Sequence, residues 1–337
     1  MKEQESEWIY LGVDVGGTKV QASVVRESGD ILARQRHKTP RNDSPESELA
    51  AIESVIEDVL SDAKKRISDI QALGIAIPGV VVPKEGRIVV TPNMNLSGIG
   101  IGEHLRQRFG VPVAVGNDCN LGALGECWLG AARNATSAFA ILVGTGIGGG
   151  FVRRGKLWRG ARKAASEIGH IVMEIGGPTC ACGNRGCLEA LASRTAIERD
   201  IRQAVSAGQS SVVTELTGGN LDAIRSRILR KSLKRGDGLV TQVMRRAAEV
   251  LGHACLTVRH LIDPEIIVLG GGVVEACGRF VLPIVQEIVD ADRLPGARPG
   301  GGVVASALGD DAVVLGAVAL ARSSAGRSPF GNQLCNV

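Results

Sequence analysis

Apolar and polar positions along this 337-residue chain switch repeatedly between a period of two and a period of 3.6, and the switches mark its elements. Residues 8–15 (Trp-Ile-Tyr-Leu-Gly-Val-Asp-Val) read as an apolar strand ending at Gly16-Gly17-Thr18-Lys19. Strands at 20–25 and around 31–37 follow, joined by the turn Glu27-Ser28-Gly29-Asp30. Ser44-Pro45 opens a helix in which Leu49, Ile52, Val55, Ile56, Val59, Leu60 and Ile67 make one buried stripe. A strand at 72–77 ends at Pro78-Gly79; a short strand at 87–90, a helix near 101–109 and a strand at 111–115 come next. Asn117-Asp118 then opens a helix carrying Cys119 to Leu129.

The second half repeats the theme. An apolar strand at 137–143 leads into the glycine-rich turn 144–150 and a returning strand at 151–154, the same order of strand, Gly-Thr turn and strand seen at 8–25. Helical patterns follow near 193–206, 221–232 and 239–262. The strand 265–269 runs into Gly270-Gly271-Gly272, and a helix near 310–322 closes the pattern, leaving a tail expected to be loose. The expectation is a duplicated α/β architecture.

Composition narrows the function. Glycine accounts for 45 of 337 residues, roughly twice the usual ~7%, and many glycines sit beside strands, where they let backbone approach a ligand. Aromatics are only 3%, which argues against base-stacking platforms, and the net charge of +4 is scattered rather than striped, so no nucleic-acid partner is expected. No run of about 18 apolar residues and no secretory pattern is visible, so a cytoplasmic protein without membrane association is expected.

Four loops carry the candidate chemistry. His170, Cys180, Cys182 and Cys187 supply one imidazole and three thiols, the donor set of a closed tetrahedral zinc site, although Cys180-x-Cys182 is tighter than the usual finger spacing. Glu167 and Glu189 flank that knuckle, which would fix both carboxylates in space. Asp14, Gly16, Gly17, Thr18 and Lys19 form either a phosphate cradle or an ordinary hairpin turn. Gly144, Thr145, Gly146 and Gly148 belong to a second such loop; Gly270, Gly271 and Gly272 suit either an adenine or ribose face or a strand-to-helix turn. Asp118 is a helix N-cap or a general base for phosphoryl transfer.

Taken together, these motifs resemble the ROK family of sugar kinases and related repressors, over about residues 9–322. The most specific part is 167–193, with Glu-x-Gly-His, Cys-x-Cys-Gly-x-x-Gly-Cys-x-Glu and Ala-Ser in order. The resemblance implies an actin-like fold of two α/β domains around a hinged cleft. Residues 1–117 with 308–325 would form the smaller domain, and 118–307 the larger one with the zinc loop 167–189, leaving 326–337 as tail. It implies that Asp118 is the catalytic base and that Gly79, Asn93, Asn117, Glu167, His170 and Glu189 hold the sugar. ATP with Mg²⁺ would occupy the glycine loops, Zn²⁺ would be structural, and the protein would be a homodimer or homotetramer.

The activity so implied is transfer of the γ-phosphate of ATP to a hexose, glucose before N-acetylmannosamine, N-acetylglucosamine, fructose or allose. A sugar-sensing repressor ranks lower, because only about seven residues precede the first strand and no DNA-reading helix fits there.

Overall fold

The computed structural model describes residues 8–40, 44–92, 94–294 and 302–330. The elements in chain order begin with β1 (Ile9–Val15), β2 (Lys19–Arg26), β3 (Ile31–Lys38), α1 (Pro45–Asp62), β4 (Ile70–Ile77), β5 (Val80–Val82) and β6 (Arg87–Val90). There follow α2 (Ile101–Phe109), β7 (Val113–Asn117), α3 (Asp118–Trp128), β8 (Ser137–Val143), β9 (Ile147–Arg153) and β10 (Lys156–Leu157). The remaining elements are α4 (Leu188–Ala192), α5 (Arg194–Ser206), α6 (Val212–Leu216), α7 (Ser226–Lys234), α8 (Gly238–Ile262), β11 (Ile266–Gly270), α9 (Gly272–Asp290), β12 (Val303–Ala305) and α10 (Ala312–Ser324).

These elements make two compact units, residues 1–136 with 150–165 and 310–337, and residues 137–149 with 166–309. The first is built on a sheet of order β3-β2-β1-β4-β7, antiparallel among β1, β2 and β3 and parallel among β1, β4 and β7. The other sheet has the order β10-β9-β8-β11-β12, again with three parallel strands, β8, β11 and β12. The internal duplication read from the two Gly-Thr turns is therefore present in the strand order of both sheets.

In the first unit, residues of β1 alternate between two apolar faces. Leu11, Val13 and Val15 share a core with Ile52, Val55, Ile56 and Val59 of α1 and Leu105 of α2. Gly12, on the opposite face, meets Val314 of α10. Covered on both faces, β1 and β4 are almost wholly buried, as strands of a parallel sheet must be. The α10 helix lies so close that a methyl group on Gly74 of β4 would overlap the Ala317 carbonyl, and one on Gly316 would overlap that of Leu121 in α3. This packing draws α3 into the first unit, which runs past residue 117 to 136.

The structure departs from the sequence expectation elsewhere too: Ile67, expected in the stripe of the first helix, lies beyond the end of α1. The glycine turn after β8 spans only 144–146, because Gly148, Gly149 and Gly150 already belong to β9. The missing side chains of Gly149 and Gly150 serve packing there: a Cβ on Gly150 would lie 2.7 Å from that of Ala123. Residues 272–290 form a 19-residue helix, α9, that the pattern reading passed over. Its buried Val273, Val274, Cys277, Val281, Val285 and Val289 keep helical spacing around the internal Pro283. Finally, Asn117 rather than Asp118 caps α3, its side chain accepting from Asn120 N at 3.0 Å. Of the tail at 326–337, residues 331–337 lie outside the described residues.

Candidate active site

Parallel strands bring loops that are far apart in sequence to one sheet edge, the one at their carboxyl ends, where α/β sheets bind ligands. In the first sheet Asp14 of β1 stands opposite Ala76 of β4, and Ala76 opposite Gly116 of β7. The edge therefore carries Asp14 and the 16–19 turn, then Gly79, then Asn117 and Asp118. Outer members are two strand spacings, about 10 Å, apart.

Gly79 adopts φ +97°, a left-handed backbone that only glycine takes without strain, and its carbonyl accepts from Asn117 Nδ2 at 2.9 Å. The same amide donates to Asp118 Oδ1 at 3.0 Å, and that oxygen also accepts from Cys119 N at 2.8 Å. Asn117 thus ties Gly79 to Asp118 while capping α3, and Asp118 sits in the first helical turn, where the helix dipole favours negative charge. Asn93 lies outside the described residues.

Asp14 is half-buried beside this pair. Burial pushes its carboxyl from 3.8 up to about 7; Asp118 and Asp310 add to the rise, and Lys19 and Arg36 oppose it. In the adjoining turn, Gly16 N donates to Lys19 O at 2.9 Å, closing the hairpin. Gly17 and Thr18 are exposed, and a Cβ on Gly17 would meet nothing within 4 Å. Their N–H groups enter none of the turn's hydrogen bonds, so an anion can take them. Lys19, the first residue of β2, is engaged by Asp310 at 3.2 Å, an ion pair shared with Arg36. No sequence signal links Lys19 to a carboxylate 291 positions away.

In the second unit the zinc-type donors converge. The ligand atoms of His170, Cys180, Cys182 and Cys187 all lie within 4.8 Å of one another. Cys182 and Cys187 Sγ are 3.7 Å apart, and Cys180 Sγ is 3.6 Å from His170 Nδ1. A zinc tetrahedron with bonds of ~2.3 Å to sulfur and ~2.05 Å to nitrogen has edges of roughly 3.8 and 3.6 Å. The donor set therefore fits that ion, with His170 turning Nδ1 inward and leaving Nε2 on the far side of the ring. Short bridges, Val172 to Cys187 and Thr179 to Arg185, hold the knuckle together.

Glu189, two residues after Cys187, lies in the first turn of α4 and reaches the second glycine loop. Its Oε2 accepts from Ile147 N at 2.8 Å, and its Oε1 lies 3.8 Å from Cys180 Sγ. Partial desolvation raises the Glu167 carboxyl above its usual range, with His170 opposing and Glu189 reinforcing, so these three side chains share one electrostatic neighbourhood. Gly144 and Thr145 are held from the start of α5: Arg194 N donates to Gly144 O at 3.0 Å and Arg194 Nη2 to Thr145 Oγ1 at 2.7 Å. Arg194 escaped the sequence reading, although it directly follows the Ala192-Ser193 that ends the 167–193 motif.

Gly270, Gly271 and Gly272 make a strand-to-helix turn in which Gly271, at φ +82°, is the N-cap of α9. A Cβ on Gly271 would stand 2.6 Å from the Val143 carbonyl, so the turn rests on the end of β8. Among the described residues no helix is long and apolar enough to cross a membrane.

Comparisons with known proteins identify the family. Residues 10–324 match the model of the ROK family. The chain is 34% identical over 317 residues to a glucokinase of Thermotoga maritima, covering 94% of this chain and 98% of that one. It superposes with a TM-score of 0.83 and 32% identity on a ROK family glucokinase from Streptomyces griseus, solved in complex with glucose and AMPPNP, over 94% of this chain and 99% of that chain. It also resembles the DNA-binding transcriptional dual regulator NagC of Escherichia coli, 28% identical over 312 residues that make up 93% of this chain but 75% of the regulator. The duplicated, actin-like α/β fold expected from the sequence is thus shared with a solved kinase across nearly its whole length. With the family model covering both sheets and all the loops at their edges, this chain belongs to the ROK family.

Proposed function

We propose that the protein is an ATP-dependent sugar kinase that transfers the γ-phosphoryl group of Mg-ATP to a hexose hydroxyl, glucose first, giving glucose 6-phosphate. The observation carrying this reading is the tethered trio of Gly79, Asn117 and Asp118 beside Asp14, in a chain similar from end to end to glucokinases.

Phosphoryl transfer asks a protein for positioning, charge neutralisation and one base. Asp118 takes the proton of the attacking sugar hydroxyl. Asn117 fixes that carboxylate through Nδ2, so the base is oriented before sugar arrives. Gly79, Asn93, Asn117, Glu167, His170 and Glu189 hold the remaining hydroxyls; each hydroxyl both donates and accepts, so carboxylates and amides can read it. The 16–18 turn with Asp14 and Lys19, the 144–148 stretch and Gly270 to Gly272 hold the nucleotide. When bound, Mg²⁺ neutralises the charge of the transferred group. Zinc on His170, Cys180, Cys182 and Cys187 supplies rigidity, keeping Glu167, His170 and Glu189 in register.

A sugar-sensing regulator needs only the sugar half of this arrangement; the 16–19 turn, with the Gly17 and Thr18 N–H groups open to an anion, favours the kinase. Kinases for N-acetylmannosamine, N-acetylglucosamine, fructose or allose share the residues named. A cytoplasmic dimer or tetramer completes the reading.

The test is ADP release with Mg-ATP across glucose, mannose, fructose, allose, N-acetylglucosamine and N-acetylmannosamine. Glucose should give the highest kcat/KM; another sugar in that place would reassign the substrate, and no turnover on any sugar would refute the kinase.

A further inference from the structure

A cation in the first turn of a helix opposes the helix dipole, so an arginine opening α5 needs a reason other than helix stability. Ser193 fixes the start of the helix, its side chain accepting from Ala196 N at 3.2 Å. That places two successive residues on two successive residues of the 144–146 turn. Arg194 N donates to Gly144 O, Thr195 Oγ1 donates to Thr145 O at 2.8 Å, and Arg194 Nη2 donates to Thr145 Oγ1.

The bond to the Thr145 hydroxyl has a chemical consequence. A hydroxyl carries one proton and two lone pairs; the guanidinium occupies a lone pair, so the proton is left to be donated elsewhere. Thr145 is exposed, so that proton is open to a ligand at the turn.

Arg194 is itself fixed. Its Nε faces Glu198 Oε1 at 3.6 Å, one helical turn along, and neither atom has a hydrogen-bond partner. Glu198 is only 7% exposed, an unusual place for a carboxylate without a cation. Arg202 and Arg225 also act on it, and Arg202 is paired with Asp222 at 3.3 Å. Glu189 lies against the same turn, so three guanidiniums face three carboxylates and the surroundings are close to balanced; the Arg194 guanidinium, on a side chain 24% exposed, is a cation bonded directly to the turn.

We propose that Arg194 is a positioning residue for the phosphoryl donor: it directs the Thr145 hydroxyl and adds positive charge for the terminal phosphates of a nucleoside triphosphate. The inference rests on the reading of Gly144 to Gly146 as a phosphate loop.

The experiment compares wild type, Arg194→Ala and Arg194→Lys by calorimetric titration with Mg-AMPPNP and, separately, with AMP, alongside steady-state kinetics. Arg194→Ala should weaken Mg-AMPPNP roughly tenfold, the scale of one charge-assisted hydrogen bond, and raise the KM for ATP in step. AMP affinity and the KM for sugar should stay within about twofold. Arg194→Lys keeps the charge without the planar fork and should fall between the two. Equal losses for Mg-AMPPNP and AMP would reveal a disordered loop and overturn the assignment, as would unchanged Mg-AMPPNP binding in Arg194→Ala. If wild type itself binds no Mg-AMPPNP, the phosphate-loop reading falls and this inference with it; if wild type binds and the variants bind alike, only the inference falls.

Discussion

Replacing Asp14 with asparagine should make the first unit more stable, and by an amount that depends on pH. In the unfolded chain this carboxyl releases its proton near pH 4, whereas in the folded chain burial and the neighbouring Asp118 hold the proton until about 7. Between those values the folded state binds more protons than the unfolded one, so the contribution of Asp14 to stability falls as pH rises and is fully lost above about 7. A displacement of about three pH units, at about 1.4 kcal/mol each, is worth roughly 4 kcal/mol. Asp14 keeps some contact with solvent, and screening brings the expected effect to about 2 kcal/mol. Asparagine is isosteric and uncharged. The stability gap between Asp14→Asn and wild type should therefore open from near zero at pH 4 to about 2 kcal/mol at pH 8. Trp8, Trp128 and Trp158, all the tryptophans of the chain, belong to the first unit, so urea unfolding followed by their fluorescence reports on that unit. Selective ¹³Cγ labelling of aspartate gives a direct check, since the resonance missing from Asp14→Asn should titrate near pH 7. A gap that does not change with pH, or a midpoint below 5, would refute the reasoning.

Asp118→Asn should lower kcat by ~10²–10⁴ while sugar affinity, measured by calorimetry, stays within about tenfold; turnover near wild type would remove Asp118 as base. Cys182→Ser should reduce bound zinc, measured by atomic absorption, and should weaken sugar binding at the same time, since the knuckle positions Glu167, His170 and Glu189; normal sugar affinity in metal-free protein would uncouple the two. Gly316→Ala should cost at least ~3 kcal/mol, because its methyl group meets the Leu121 backbone rather than a movable side chain. Gly17→Ala, with open space around it, should melt close to wild type. Equal melting temperatures for the two variants would contradict the close approach of α3 and α10.

Much of the first unit could be read from periodicity because its sheet is covered on both faces, which gives β1 and β4 unbroken apolar runs. The α9 helix was harder to see: Gly272 and Gly278 weaken its pattern and Pro283 reads as a breaker, yet six buried residues keep its register. The zinc-type donors were legible because their spacing is short and local. Contacts between distant segments were not. Nothing near Lys19 points to Asp310, and Glu189 gives no hint in sequence that one of its oxygens serves the Ile147 amide. Arg194 was hidden for another reason: an arginine at a helix start looks like a solvated surface residue until the turn it touches is known.

The close seating of α10 against β1, β4 and α3 bears on how the chain is made. The segment that completes the first unit leaves the ribosome roughly 180 residues after α3, and nearly all of the second unit is synthesised in between. At ~5–20 residues per second, the apolar faces of β1, β4 and α3 wait roughly 10–35 seconds for their cover. The second unit can fold as it emerges, whereas the first must hold its earlier strands in an unfinished state until α10 arrives. During that interval Gly12, Gly74 and Gly125 line a groove shaped for a helix not yet synthesised. A ribosome stalled before residue 312 would present that groove, and the strands beside it, to chaperones.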